Sequence, residues 1–386
     1  LLEARDRIGG RVHTSRLWRD LPIDLGASWI HGVKGNPLTA LAKAEGVALS
    51  PQRDRVAILP KADARAAEDS FDLAQRIITS AQDAAKRLNR DISLKAAVER
   101  LPAWQGLTSD QRRLLDFHIV SAIEHEYAED WDRLSAWWFD EADEHPGGDA
   151  LIPEGYDRLL APLARGIDIR LNTAVRRVGP APEGVRAVLA DGRTVTADAA
   201  VVAVPLAVLA SGRVAVDGLA GRAEAALQAL GTGLLNKVAL RFDRAFWPAD
   251  AGWVQHVPVR RGQFQEWVPL PGGTPAIMGF HAGSPARALE PLSDRDTAAE
   301  AVAALRSMLG SAVPDPLGVQ VSRWQADAFA LGSYSHYPVG ATPDDRRALA
   351  DVIGGRIVLA GEYVATDHPS TVHGAIQSGR RAARLL

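Results

Sequence analysis

The two ends of this chain carry the same grammar, and that recurrence constrains the fold more than any other feature. At the N-terminus, Leu1-Leu2-Glu3 has the pattern of a buried parallel strand closing on an acid, and Gly9-Gly10-Arg11 follow within a few residues. At the C-terminus, Arg356-Ile-Val-Leu-Ala-Gly-Glu is a strand running into glycine and an acid, with helical sequence from about 371 to 386. Strand, glycine, acid and helix in succession are α/β signals. Two such units at opposite ends predict one α/β domain assembled from discontinuous segments, with other structure inserted between them.

The intervening chain has its own patterning. Residues 37–46 read as a short helix with Asn36 as cap, Pro37 in the first turn and Gly46 as stop. Residues 61–134, rich in Ala, Arg, Asp and Leu, predict several amphipathic helices. From 167 to 215 strand and hairpin patterns take over: Ile167 to Leu171, Val185 to Leu189, a turn at Asp191-Gly192, Thr194 to Thr196, and an apolar run from Ala199 to Val204. Further strands are expected at 235–242 and 274–280, and a helix at 295–310. A Rossmann-like α/β domain is therefore placed in 1–55, 150–215 and 350–386, and an α+β domain with a helical insertion in 56–149 and 216–349.

Composition bounds what the chain can do. With 44 basic against 47 acidic residues the net charge is -3, no field for holding a polyanion, which argues against nucleic acid as a partner. No apolar run approaches the roughly 20 residues of a membrane-spanning helix, so a soluble, cytoplasmic protein is expected. The chain has no cysteine, which removes disulfides, thiolate metal sites, thiol nucleophiles and any cofactor linked through sulfur. No metal centre is expected.

Several residues could carry chemistry. Glu3 lies where a dinucleotide-binding fold puts its ribose-binding carboxylate, normally about 20 residues past a glycine-rich turn. No such turn precedes it in the sequence, and on five residues alone it reads equally as a surface acid. Gly9 and Gly10 would let the backbone approach a ligand closely, and Arg11 would present a planar fork to a phosphate. Lys237 is the most informative single residue, because the chain has six lysines against 38 arginines. A lysine inside the strand-like Leu-Asn-Lys-Val-Ala-Leu is either an edge residue snorkelling to water or a buried amine of depressed pKa. Trp324 and the aromatics of Gly332-Ser-Tyr-Ser-His-Tyr-Pro read as core or as a ligand-facing wall. Residues 124–144 hold nine acids against Arg133 alone, a solvated face or an acidic mouth that attracts a polycation.

Four stretches together resemble the flavin-containing amine oxidase family, and within it the polyamine oxidase and spermine oxidase branch. They are Leu-Glu-Ala-Arg-Asp-Arg-Ile-Gly-Gly-Arg (2–11), Gly-Ala-Ser-Trp-Ile-His-Gly (26–32), the lysine stretch Leu-Asn-Lys-Val-Ala-Leu-Arg-Phe (235–242), and Leu-Ala-Gly-Glu-Tyr (359–363) with Ser-Thr-Val-His-Gly-Ala (370–375). The resemblance spans nearly the whole chain and is weakest over 55–125. It implies noncovalent FAD, with Glu3 at the adenosine ribose, Arg5, Gly9, Gly10 and Arg11 at the pyrophosphate, and Val178 at the adenine. It likewise implies Gly26, Ala27, Ser28 and Trp29 at the isoalloxazine, Gly361 and Glu362 at the ribityl side, and Thr371 and Val372 at the pyrimidine edge, where a helix start offers free N–H groups.

The same resemblance implies Lys237 as the catalytic lysine, holding the N5 edge of the flavin through a water. It implies a substrate site of His31, Trp324, Tyr334 and Thr371, with Glu124 and Glu126 meeting a distal ammonium. Monoamine oxidases have a second tyrosine opposite the first, so Thr371 implies a roomier site. The implied activity is oxidation of an amine, a polyamine by branch, through hydride transfer to flavin N5. An imine and then an aldehyde result, and dioxygen takes the electrons to give hydrogen peroxide. An amino-acid or monoamine substrate on the same fold, and a flavin-free remnant or scaffold, are the alternatives. The family places a first strand, glycine turn and helix before Leu1, about 30 residues. A chain truly beginning at Leu1 would lack the central strand and the main pyrophosphate cradle.

Overall fold

The computed structural model describes residues 1–271 and 273–386. The two ends meet the middle of the chain through parallel pairing. Leu2 bridges Arg170 in parallel, with hydrogen bonds from Arg170 N to Leu1 O, Glu3 N to Arg170 O and Thr173 N to Glu3 O of 2.8, 3.0 and 2.8 Å. The strand Ile357–Leu359 runs parallel to Ala200–Val202. Parallel partners need long crossovers, which is why these ladders join segments so distant in sequence. The strand expected at 167–171 is a single bridge, Arg170 to Leu2. The apolar run 199–204 is a strand over Ala200–Val202 alone. Val201 is 44% and Leu1 60% exposed, since both face a large cavity rather than a packed layer.

A six-stranded sheet forms the other wall, in the order Gly318–Val321, Leu235–Arg241, Ala276–Ala282, Glu266–Pro269, Trp253–Gln255, Val56–Ile58. Neighbours are antiparallel except for the last pair. Leu235–Arg241 is flanked on both sides, and Lys237, opposite Phe280, is 3% exposed. The edge position is thereby excluded. Helix Asp294–Leu309, capped by the Ser293 side chain, lays Ala298, Ala301, Val302, Leu305 and Met308 over Val238, Leu240 and Trp267. That i, i+3, i+4, i+7 stripe is the apolar face of a surface helix, and each large side chain it buries contributes about 1.5–3 kcal/mol.

The helical insertion comprises Lys61–Ala85, Leu94–Glu99, Pro102–Gln105 and Ser109–Ile119, packed around Ile77, Leu94, Trp104, Leu115 and Trp131. Thr108 and Gln111 close a capping box at the last of these. The helix then widens into one π turn, Val120–Glu124, before His125–Tyr127 and the left-handed Ala128. Such a turn resets the facing of the residues after it, and here it separates Glu124 from Glu126. The helix Pro37–Ala44 begins as expected, with the Asn36 side chain accepting from Leu38 N at 3.0 Å.

Candidate active site

A cavity of about 2040 Å³ is walled by both parts of the fold, well above the roughly 300–1,000 Å³ of an ordinary ligand pocket. Every residue to which the resemblance gives a role lines it except Glu124.

The N-terminal turn forms one part of the wall. Gly9 and Gly10 have φ of 95° and 55°, the left-handed region that glycine enters freely. A Cβ on Gly9 would strike the Leu160 side chain, whereas one on Gly10 would meet nothing within 4 Å and would project into open space. Arg11 Nη1 donates to Glu362 Oε1 at 2.9 Å and to the Ser333 carbonyl at 2.7 Å. Glu362 also accepts from Ser335 Oγ, which in turn accepts from Arg346 Nη1 at 2.8 Å. Burial pushes the Glu362 carboxyl up, but the charges of Arg11 and Arg346 prevail and hold it below its ordinary value.

Glu3 accepts from Arg5 N at 2.8 Å. The Arg5 guanidinium itself is gripped by both oxygens of Asp327, at 2.7 and 2.8 Å, and lies over the Phe329 ring. Arg5 and Arg11 both line the cavity, the first held by Asp327 and the second by Glu362. Val178 is buried in its strand between Val216 and Ala187. Gly361 N donates to Ser378 Oγ at 2.9 Å, tying the strand end to the helix Val372–Leu385. Val372 is the first residue of that helix and Thr371 its cap, accepting from Gly374 N at 3.0 Å and donating to the His368 carbonyl at 2.8 Å. The Thr371 O–H and one of its lone pairs are thus engaged within the protein, and the second lone pair is left.

Lys237 reaches from the sheet to the loop that carries Gly26, Ala27, Ser28 and Trp29. Its Nζ donates to Gly26 O and Ser28 Oγ, each at 2.5 Å, and to Asp24 O at 3.2 Å. The ammonium also lies 5.3 Å above the Trp29 ring. Burial lowers the Lys237 pKa to about 8 despite the nearby Asp24 carboxylate. Burial likewise raises Asp24 to about 6, against hydrogen bonds from Thr14 Oγ1 and Tyr156 N. Gly26 cannot carry a side chain, because a Cβ there would overlap the Arg11 carbonyl.

Aromatic and acidic side chains complete the wall. Trp29 stacks on Trp253 at 5.8 Å and packs on Phe280 at 5.7 Å. Tyr334 donates to the His125 carbonyl at 2.9 Å, and Trp324 Nε1 to Leu25 O at 3.0 Å. His31 Nδ1 lies 2.9 Å from Asp149. Burial disfavours the His31 imidazolium, but Asp149 and Glu126 outweigh it and raise the pKa. Glu126 faces the cavity, where burial raises its carboxyl against the charge of His31. Glu141, Asp143 and Glu144 line the same region.

Glu124 corrects the sequence reading. It is 1% exposed, gripped by Arg261 at 2.7 and 2.9 Å, and accepts from Trp131 N at 3.0 Å. Glu129 and Asp130 are similarly consumed by Arg287 and Ser284. The acidic run is therefore two things, a set of buried ion pairs and a cavity lining.

Some wall residues escaped sequence reasoning. Arg346 sits in Pro343–Leu349, whose Pro-Asp-Asp-Arg-Arg start reads as an exposed helix, yet it is 1% exposed. The buried pair His125–Glu266, 2.6 Å apart, comes from a helix end and a strand. Trp253 and Phe280 belong to strands whose alternation carries no mark of a ligand. Among the described residues, no helix is long and apolar enough to cross a membrane.

Fold and cavity define a class, a mixed α/β protein whose cavity has room for a dinucleotide-sized cofactor and a second ligand. The chain belongs to the flavin-containing amine oxidoreductases, whose family model matches residues 1–386. Membership makes FAD the cofactor of this cavity. The chain is 33% identical over 406 residues to polyamine oxidase 2 of Arabidopsis thaliana, covering 99% of this chain and 82% of that one. It is 35% identical over 413 residues to lysine-specific histone demethylase 1 homolog 3 of Oryza sativa subsp. indica, covering 99% of this chain and 50% of the relative. The chain thus spans about half the length of such histone demethylase homologues. A putrescine oxidase redesigned in its cofactor binding shares the fold, with a TM-score of 0.78, 19% identity, and coverage of 100% of this chain and 92% of that one.

Proposed function

We propose that this chain oxidises an amine of the polyamine class, using noncovalently held FAD. The observation that carries the reading is the polarity of the cavity. Arg11 and a helix start form one part of its wall, carboxylates another, and the buried Lys237 clamps the loop 24–28.

The residues present fit FAD. Gly10 leaves open space where a Cβ would intrude, Arg11 offers a cation, and the helix start at Val372 offers free N–H groups and a positive dipole end. Glu3 would hold the ribose, Gly9, Gly10 and Arg11 the diphosphate, and Val178 the adenine. Gly361 and Glu362 would face the ribityl chain, residues 26–29 the ring, and Val372 the pyrimidine edge. What FAD supplies when bound is an acceptor for the hydride of the amine's α C–H bond and a donor to dioxygen, with imine and hydrogen peroxide as products. Water splits the imine into an aldehyde and the remaining amine.

The protein's own work is orientation and electrostatics. Trp29, Trp253, Phe280 and Tyr334 exclude water and align the amine. Glu126 and its neighbours draw a polycation in and hold a distal ammonium. Lys237, with a pKa near 8, can hold or pass a proton at working pH. Neither a nucleophile nor a strong base is required. An amino-acid substrate would need a cation for its carboxylate, whereas the charges around His31 are Glu126, Glu144 and Asp149.

The cofactor-binding unit is assigned to 1–55, 150–215 and 350–386, and the substrate unit to 56–149 and 216–349. The parallel pairings of Leu2 and of Ala200–Val202 support the first. The joining of Val56–Ile58 to the six-stranded sheet supports a boundary after residue 55. The test is visible flavin absorbance in purified protein, followed by peroxide production with spermine, spermidine, putrescine, tyramine, free amino acids and a methylated lysine peptide. Yellow protein active on spermine or spermidine is expected. Colourless protein that binds no added FAD overturns the reading, and activity confined to amino acids overturns its substrate class.

A further inference from the structure

His145 meets His368 and His373, neighbours in sequence, beside the cap of the C-terminal helix. His145, on the loop following the acidic stretch, stacks on His368 with ring centroids 4.3 Å apart. His373, in the first turn of Val372–Leu385, stands 5.1 and 4.8 Å from those two rings. One ring nitrogen from each lies within 4.8 Å of the others.

Their remaining contacts leave nitrogens free for a ligand. His368 Nδ1 is 2.7 Å from the Asp143 carbonyl, which places the proton on Nδ1 and leaves Nε2 a bare lone pair. A backbone carbonyl behind the ring is the usual support of a ligating histidine. His145 Nε2 is buried without any hydrogen-bond partner. His373 Nδ1 has Asn36 Nδ2 at 3.5 Å, the edge of hydrogen-bonding distance.

We propose that His145, His368 and His373 form a three-imidazole site for a divalent first-row transition ion, which fastens the acidic loop 141–149 to the helix on the cofactor side of the cavity. Three nitrogen donors suit zinc, cobalt, nickel or copper, while magnesium and calcium require oxygens. Zinc–nitrogen bonds of about 2.0–2.1 Å in a tetrahedron set nitrogens about 3.3 Å apart. The rings therefore close by at most about 1.5 Å, a side-chain rotation. The sequence expectation of no metal followed from the missing cysteines, which say nothing of imidazoles gathered by the fold.

The experiment uses zinc itself. Holoenzyme stripped with a chelator and dialysed against zinc is expected to retain one ion per chain and to melt at a higher temperature than the metal-free protein. His145→Ala, on a loop and outside the residues assigned to cofactor or substrate, is expected to weaken zinc binding by about tenfold or more and to lose the melting shift. Its metal-free melting temperature should match that of the parent, which separates lost ligation from lost folding, and His368→Ala supplies a second variant. Metal content is counted without turnover, so this proposal fails independently of the amine-oxidase reading. Parent protein that retains no more zinc than His145→Ala and His368→Ala overturns it.

Discussion

Arg11 and Glu362 stand 2.9 Å apart although 351 positions separate them, and their pair locks the N-terminal glycine turn to the C-terminal strand end. Glu362 is buried and also neighbours Arg346, so two cations depend on one carboxylate. Glu362→Gln is expected to lower stability by about 3 kcal/mol, since it leaves buried charge uncompensated. It should also reduce the FAD retained per chain. The ratio of flavin to protein absorbance after gel filtration, with thermal melting, checks both; full flavin content would remove Glu362 from the cofactor site.

Gly10 and Gly26 separate fold from function. A Cβ on Gly26 would overlap the Arg11 carbonyl, so Gly26→Ala should disrupt packing and impair folding. Gly10→Ala meets no protein atom and costs only the left-handed backbone, about 1 kcal/mol. Its expected effect is weaker FAD binding in a folded protein, measured by cofactor titration of the apoprotein. Normal affinity would place the diphosphate elsewhere.

Lys237→Met should retain FAD and lose turnover by about a hundredfold, the scale of one positioned proton-handling group. Stopped-flow measurement of anaerobic reduction by spermine and of reoxidation by dioxygen, taken separately, shows which step the lysine serves. Two unaltered rates would reduce Lys237 to a structural clamp on Gly26 and Ser28.

The same lysine should mark the pH dependence of stability. Between about pH 8 and 10.5 folded Lys237 has released its proton while the unfolded chain still holds one, so stability rises with pH across that window. A shift of this size corresponds to about 3 kcal/mol. Between about pH 4 and 6 the sign reverses, because folded Asp24 keeps a proton that the unfolded chain has lost. Urea unfolding across this range should show both slopes in the parent protein, and Lys237→Met should flatten the alkaline one and, by removing a charge that lowers Asp24, carry the acid one to higher pH.

How much of this was legible follows from what kind of signal each residue leaves. Gly9, Gly10, Arg11 and Glu362 sit in contiguous motifs, where composition and order carry the information, and all of them line the cavity. Lys237 announced itself by being rare and by sitting in an apolar strand. Arg5 did not announce Asp327, because their pairing joins loops far apart in the chain. Thr371 was legible as a helix start, but not that its hydroxyl accepts from Gly374 N. Arg346 and His125 with Glu266 left no trace, since burial of a charge depends on partners that only the fold supplies.

Glu124 and Glu126 make the sharpest case, because they are two residues apart, chemically identical and expected from sequence to do the same work. The π turn gives Glu124 to Arg261 and Glu126 to the cavity. Glu124→Gln strips the carboxylate from a buried ion pair, and the expected result is a loss of about 3 kcal/mol in stability with substrate affinity retained by the folded fraction. Glu126→Gln removes a charge that faces ligand space, set deep in the cavity where ionisation is disfavoured, so stability should hold or rise slightly. Its cost should fall on binding: KM for spermidine is expected to rise about tenfold with kcat little changed, the pattern of a lost contact common to ground and transition states. A monoamine substrate has no distal ammonium and should show no such rise. Equal KM increases for spermidine and a monoamine would remove Glu126 from the distal site, and a KM effect of Glu124→Gln would return that residue to it.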